Sequence, residues 1–211
     1  MFDLVKVHED YICINKYEDV EFHGSGLVDA VREAVGGEIY PVHRLDKITS
    51  GLLLFARSKD VAHEICDQFD QRKVEKTYLA LSDVKPKKKQ GSVKGDLEKS
   101  RRGTWKLSRN LTNPSITQFK SYSFKEGRRL FILYPKTGKT HQLRVVMKSL
   151  GAPILGDTAY GGSEADRAYL HCFRMKFQIG EQVFIEEAPA LRGLEFDEVF
   201  NNCCTEMGLF K

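Results

Sequence analysis

The run Leu52-Leu53-Leu54-Phe55 constrains this chain more than any other feature. Four consecutive large apolar residues, bounded by Gly51 and Arg57, read as a short strand buried on both faces. A charged cluster, His43-Arg44-Leu45-Asp46, stands a few residues ahead of it, on a turn that Thr49, Ser50 and Gly51 favour. Asp46 and Arg44 are thereby held beside a rigid core element, and loops fixed by a scaffold are where catalytic groups are often placed. Taken by itself, Asp46 would serve equally well to order the turn.

Other elements follow from periodicity. Tyr11 to Ile14 reads as a strand. Leu27, Val31 and Val35 form one stripe of a short helix that Gly36-Gly37 ends. Ser58 is the N-cap of a second helix in which Val61, Ile65 and Phe69 recur. Residues 77–82 alternate, with Leu79 and Leu81 on one face and Tyr78 on the other, taken as open. Strands at 116–122 and 129–134 are joined across residues 125–128. Thr140 caps a helix whose buried stripe is Leu143, Val146, Met147 and Leu150, with Arg144 on its flank. Strands at 170–177 and 182–186 close the chain. Few helices among strands adjacent in sequence predict an α+β fold with a mixed, mostly antiparallel central sheet and flanking helices. The length, 211 residues, suits one domain over 1–211.

Charge is unevenly spread. The net formal charge is +4, yet residues 85–110 hold ten basic side chains against Asp96 and Glu98. This segment reads as a basic loop or hairpin inserted in the domain, and as the footprint of a polyanion partner. No apolar run has the length of a membrane span, and the charged N-terminus is no secretory leader. Five irregularly spaced cysteines read as reduced thiols of a cytoplasmic protein, with Cys203-Cys204 in a frayed terminal segment. Gly138-Lys139-Thr140 lacks the earlier glycine of a phosphate-binding loop, Leu133 standing there instead. Neither metal-ligand spacing nor a serine-hydrolase elbow occurs.

HRLDKITSGLLLFARS at 43–58 is similar to the HRLD-x-x-TSG-LLL signature of the RluA-type RNA pseudouridine synthases. NKYEDVEFHG at 15–24, VEKTYLAL at 74–81, TGKTHQLRVVMKSLGAPILGDTAYG at 137–161 and LHCFRMKF at 170–177 resemble further segments of that family, in its order. There are departures. Tyr17 replaces a proline, Lys139 an arginine and Met175 a leucine, and no S4-type RNA-binding domain precedes the catalytic region.

The resemblance implies isomerisation of a specific uridine in ribosomal or transfer RNA, with no cofactor. Asp46 maps onto the family's aspartate, as nucleophile at C1′ or base at C2′. Arg144 would keep it ionised, and Tyr78 would stack on the uracil and help manage the C5 proton. The RNA contacts implied are Arg44, Lys87, Lys88, Lys89, Arg101, Arg102, Lys139 and His141. His43 either joins them or makes a structural hydrogen bond. Asp157 and Tyr160 read as shaping a turn. No metal, no membrane and no obligate protein partner is expected, and the default assembly is a monomer. The competing reading is a catalytically idle RNA-binding protein on the same fold. A glycosidase-like hydrolase would want a second carboxylate.

Overall fold

The computed structural model describes residues 1–24, 26–190 and 192–209. In chain order the strands and helices open with β1 (Phe2–Val7), β2 (Tyr11–Lys16), α1 (Leu27–Val35), β3 (Tyr40–Pro41), β4 (Ser50–Ala56) and α2 (Lys59–Asp70). Then come β5 (Glu75–Ser82), β6 (Gln90–Gly95), β7 (Leu97–Lys99), β8 (Trp105–Leu107), β9 (Ser115–Lys125) and β10 (Arg128–Pro135). The last are α3 (Gln142–Ser149), β11 (Leu170–Ile179), β12 (Gln182–Glu187) and α4 (Glu198–Glu206). The expected mix of α and β, with mostly antiparallel strands, is what forms. Contacts group the chain into two units, Met1–Lys76 with Cys172–Ala188 and Thr77–His171 with Pro189–Lys211.

In the first unit the strands lie in the order β1-β2-β4-β11, with β12 on β11 and β3 on β4. Every residue of β2 and of β4 is buried. That is why the leucine run carries no alternation. Leu52 pairs with Asn15 and Phe55 with Ile12. Tyr11 meets Phe177 and Phe184 edge-on, with both centroid distances 5.1 Å. Ser58 accepts the Val61 N–H and starts α2, as its sequence predicts. Leu27 and Val31 bury one stripe of α1.

Gly51 sits where β4 meets β11. Its φ is +110°, and a Cβ there would lie 2.3 Å from the Cys172 carbonyl oxygen. Both the torsion and the space demand glycine.

The second unit is built on β5-β10-β9-β6, with β7 and β8 as a separate hairpin. Residues 85–110 thus supply one strand to the sheet edge and one hairpin. Tyr78 pairs with Leu133, and both faces of β5 are covered from Tyr78 onward. Tyr78 is only 9% exposed, so its face is not open as its alternation suggests. Helix α3 is capped by His141 in a left-handed conformation rather than by Thr140. Gln142 through Met147 are all buried, a wider face than the four-residue stripe implies. Gly156 is a second forced glycine, since a Cβ would lie 1.8 Å from the Arg167 carbonyl oxygen.

Strand β1 and helix α4 have too weak a periodicity to be found by pattern. Asp197 caps α4 by accepting the Phe200 N–H, and Phe200 and Cys204 are buried beneath it. The vicinal cysteines therefore belong to an ordered helix, not a frayed end. Burial pushes the Cys204 thiol up to about 12 and keeps it protonated.

Gly51→Ala should destabilise the protein by more than about 3 kcal/mol, since it combines a strained torsion with a backbone clash. Urea unfolding with an unchanged m-value checks this.

Candidate active site

Asp46 lies half-exposed at the start of a turn closed by the Thr49 N–H donating to its carbonyl, 3.0 Å. Two groups fix that turn. Lys16, at the end of β2, has no exposed surface. Its ammonium donates to the carbonyls of Tyr17 (2.8 Å), Val20 (2.8 Å) and Lys47 (3.2 Å). A buried ammonium persists only if it is well coordinated, so Lys16 ties the segment after β2 to the residue beside Asp46.

His43 is the second anchor. Its Nε2 accepts the Leu54 N–H at 3.1 Å, and its ring lies 5.0 Å from that of Phe69. Burial, then the nearby Lys76 charge, pushes its pKa down to about 3. His43 is thus a neutral strut between the charged cluster and β4, the structural alternative of the two its sequence leaves open. Lys76 is itself held 5.4 Å from the Phe69 centroid, and burial lowers its pKa. Arg44, between these anchors, is exposed.

The second unit holds Tyr78 and Arg144. Arg144, 7% exposed, meets Asp157, 3% exposed, through two parallel bonds of 2.7 Å from Nε and Nη2. Its guanidinium lies 4.5 Å from the centroid of the Tyr160 ring. The Tyr160 hydroxyl accepts the Trp105 N–H at 2.9 Å and bonds His141 Nδ1 at 2.8 Å. Asp157 and Tyr160 therefore do more than shape a turn: they orient the arginine and tie it to β8. A sequence signal existed, because a buried arginine requires a carboxylate, but the pattern could not say which.

Gln142 explains another part of THQLR. Its amide oxygen accepts from Thr137 Oγ1 (2.7 Å) and the Lys139 N–H (3.1 Å). Its amide nitrogen donates to the Ile116 carbonyl (3.1 Å) and Thr117 Oγ1 (2.9 Å). The start of α3 is thereby bound to β9.

The basic candidates divide. Lys87, Lys88, Lys89, Arg101 and Arg102 are exposed, whereas the Lys139 ammonium donates to the Asn113 carbonyl. The two acids of residues 85–110 are committed internally. Asp96 accepts the N–H groups of Thr112 (3.1 Å) and Asn113 (3.0 Å), and Glu98 lies 3.4 Å from Lys106. Among the described residues, His8, Glu9 and Asp10 are the one cluster of metal-ligating type, and His8 Nδ1 already accepts the Asp10 N–H. No helix among them is long and apolar enough to cross a membrane.

Residues 10–149 match the family model described as RNA pseudouridylate synthase. The chain is 50% identical over 182 residues to an "Uncharacterized RNA pseudouridine synthase" of Haemophilus influenzae, covering 83% of this chain and 81% of that protein. It is 32% identical over 199 residues to the tRNA pseudouridine synthase C of the same organism, covering 78% and 79% respectively. Among solved structures it is similar to the human RNA pseudouridylate synthase domain containing 1 protein, with a TM-score of 0.79, 26% identity and coverage of 94% of this chain and 87% of that one. Fold and sequence together define an isomerase acting on RNA. The chain belongs to the RNA pseudouridylate synthase family.

Asp157→Ala should cost about 3–5 kcal/mol of stability, because it removes both carboxylate bonds from a buried guanidinium. Chemical denaturation measures it. The His43 pKa is depressed from 6.5, so its contribution to stability is complete above pH 6.5. It falls away as the pH drops toward 3, where only the unfolded chain takes up the proton. His43→Gln keeps an acceptor for the Leu54 N–H and removes the titration. Its stability should fall less steeply than that of wild type across this window, as thermal melts at successive pH values would show.

Proposed function

We propose that this protein converts a specific uridine of ribosomal or transfer RNA to pseudouridine, with Asp46, Tyr78 and Arg144 as its catalytic side chains. The supporting observation is the setting of Asp46, a half-exposed carboxylate on a turn whose flanking groups are pinned to buried elements. Preorganisation of this kind is what a reacting carboxylate needs.

In the reaction the N1–C1′ bond breaks, the uracil turns, and C5 bonds to C1′. The proton leaving C5 is balanced by one gained at N1, so nothing is oxidised or hydrolysed and no cofactor is called for. Asp46 serves as nucleophile at C1′ or as base at C2′. Tyr78 stacks on the uracil and helps manage the C5 proton. Arg144 favours the ionised carboxylate. Its two bonds to Asp157 set the direction of the guanidinium. The target base must leave its stack, which costs a few kcal/mol, and Arg44 holds the RNA where it does so. Lys87, Lys88, Lys89, Arg101, Arg102, Lys139 and His141 position the phosphate backbone. The tRNA-modifying relative supports transfer RNA as one substrate class. Five free cysteines are in keeping with a cytoplasmic enzyme, and we take it to act as a monomer.

The decisive test is a pseudouridine map of total RNA from cells lacking the gene, complemented with wild type or Asp46→Asn. A site lost in the deletion, restored by wild type and not by the variant, is the expected result. A site restored by Asp46→Asn would sink the role of the carboxylate. Identical maps in all cells, with RNA still bound, would favour the idle RNA-binding protein.

A further inference from the structure

On the second unit a groove of about 640 Å³ opens where β6 starts along β9. Lys88, Lys89, Lys120, Arg129 and Tyr122 line it, with no carboxylate among the lining residues. The groove exists because β6 covers only part of β9. Their pairing begins at Gln90 opposite Lys120, and the Ser121 N–H still reaches the Lys89 carbonyl at 2.6 Å. Past that point no residue of β6 pairs with β9.

The charges on this sheet are handled in two ways. Lys125 and Arg128, at the β9–β10 turn, are neutralised. Lys125 lies 2.8 Å from Glu195 and 2.7 Å from Asp197, and Arg128 lies 2.7 Å from Glu195. The four groove cations have no carboxylate within ion-pair distance among the described residues. Among the described residues, Arg129 Nη2 donates at long range to the Ser121 carbonyl (3.4 Å) and hydroxyl (3.3 Å), and its buried Nε has no hydrogen-bond partner. Tyr122, 36% exposed, presents a ring beside them. Unneutralised cations along a groove with an aromatic face fit a single strand of RNA, phosphates on the cations and a base on the ring.

We infer that this groove is a binding site for single-stranded RNA, and that Lys120, Arg129 and Tyr122 extend the basic run at Lys88-Lys89 into a track for the strand outside the target nucleotide. This rests on the reading of the protein as an RNA enzyme, but its contacts are sequence-independent and need no uridine.

The test therefore uses oligoadenylate, which cannot be turned over. Anisotropy titrations with the full chain across a salt series compare wild type, Lys88→Gln/Lys120→Gln, Arg129→Gln and Tyr122→Ala. The lysine pair should lower the slope of log K against log salt by about 1.4, since each phosphate contact on a single strand contributes about 0.7. Tyr122→Ala should weaken binding at least about fivefold with an unchanged slope, as loss of stacking predicts. The lysines are exposed, so the pair remains informative should Arg129→Gln fold poorly. Wild-type slope and affinity in the lysine pair would overturn the inference. So would tighter binding of an RNA duplex, or of an oligoglutamate peptide, than of oligoadenylate. Asp46→Asn should bind oligoadenylate as wild type does. Pseudouridine formation retained by Asp46→Asn, with the groove effects intact, would count against the catalytic reading alone.

Discussion

A lysine with no exposed surface is the constraint from which the candidate site follows. Removing an ammonium from water is expensive, and in the interior the Lys16 ammonium is met by carbonyls that converge on it. Those carbonyls come from Tyr17, Val20 and Lys47, two stretches far apart in sequence. If either stretch moved, a buried charge would lose part of its coordination. The residue after Asp46 is therefore not free to wander, and neither is the backbone of Asp46. The His43 ring adds a second restraint on the other side, joining the charged cluster to the centre of β4. Strand β4, to which the His43 ring is bonded, is itself locked, because Gly51 lets its backbone approach Cys172 more closely than any side chain would permit.

The second unit solves a similar problem with a different group. Arg144 is buried and paired in fork geometry with Asp157, and Tyr160 covers its face. A lysine could not replace it, since two parallel bonds and ring stacking both need a planar cation. The same tyrosine accepts the Trp105 N–H, so the arginine's setting is continuous with the hairpin of β7 and β8. The basic segment is thus not a loose tail. Asp96 closes its base and Tyr160 anchors its hairpin, which leaves its lysines projecting from an ordered platform.

Much of this was legible in the chain. The leucine run, the helix begun by Ser58 and the hairpin across residues 125–128 are local signals, fixed by burial and by caps, and they fold as read. Asp46 stood out because a charged cluster ahead of a buried strand is unusual. Other features are tertiary and could not be read. Tyr78 alternates with its leucines, but the packing covers both faces of its strand. The N-terminus of α3 looks like a threonine cap, yet Thr137 and Gln142 already bond each other, and His141 takes the left-handed turn. Helix α4 has little periodicity of its own, and Phe200 and Cys204 find partners only after the chain folds back. The Asp157 partner of Arg144 belongs to the same class, being a pairing thirteen residues apart across a stop in the helix.

Charge shows the same separation of local from tertiary information. The sequence totals a net charge of only +4, too little to draw a polyanion by itself. At physiological salt the screening length is about 8 Å, so what an RNA phosphate feels is the handful of cations next to it. Pairing decides which cations those are. Lys125 and Arg128 are counted in any sequence tally yet are neutralised by Glu195 and Asp197, while Lys120 and Arg129 on the same two strands have no carboxylate partner among the described residues. Phosphate contacts of this kind position a strand without reading it. On the function proposed for this chain, selection of one uridine would fall to the groups around the flipped base, and the basic surface would contribute orientation and reach. A site held rigid by buried charges and a surface left charged by the absence of partners are two uses of one principle: an ion in a protein acts outward only as far as its neighbours leave it unsatisfied.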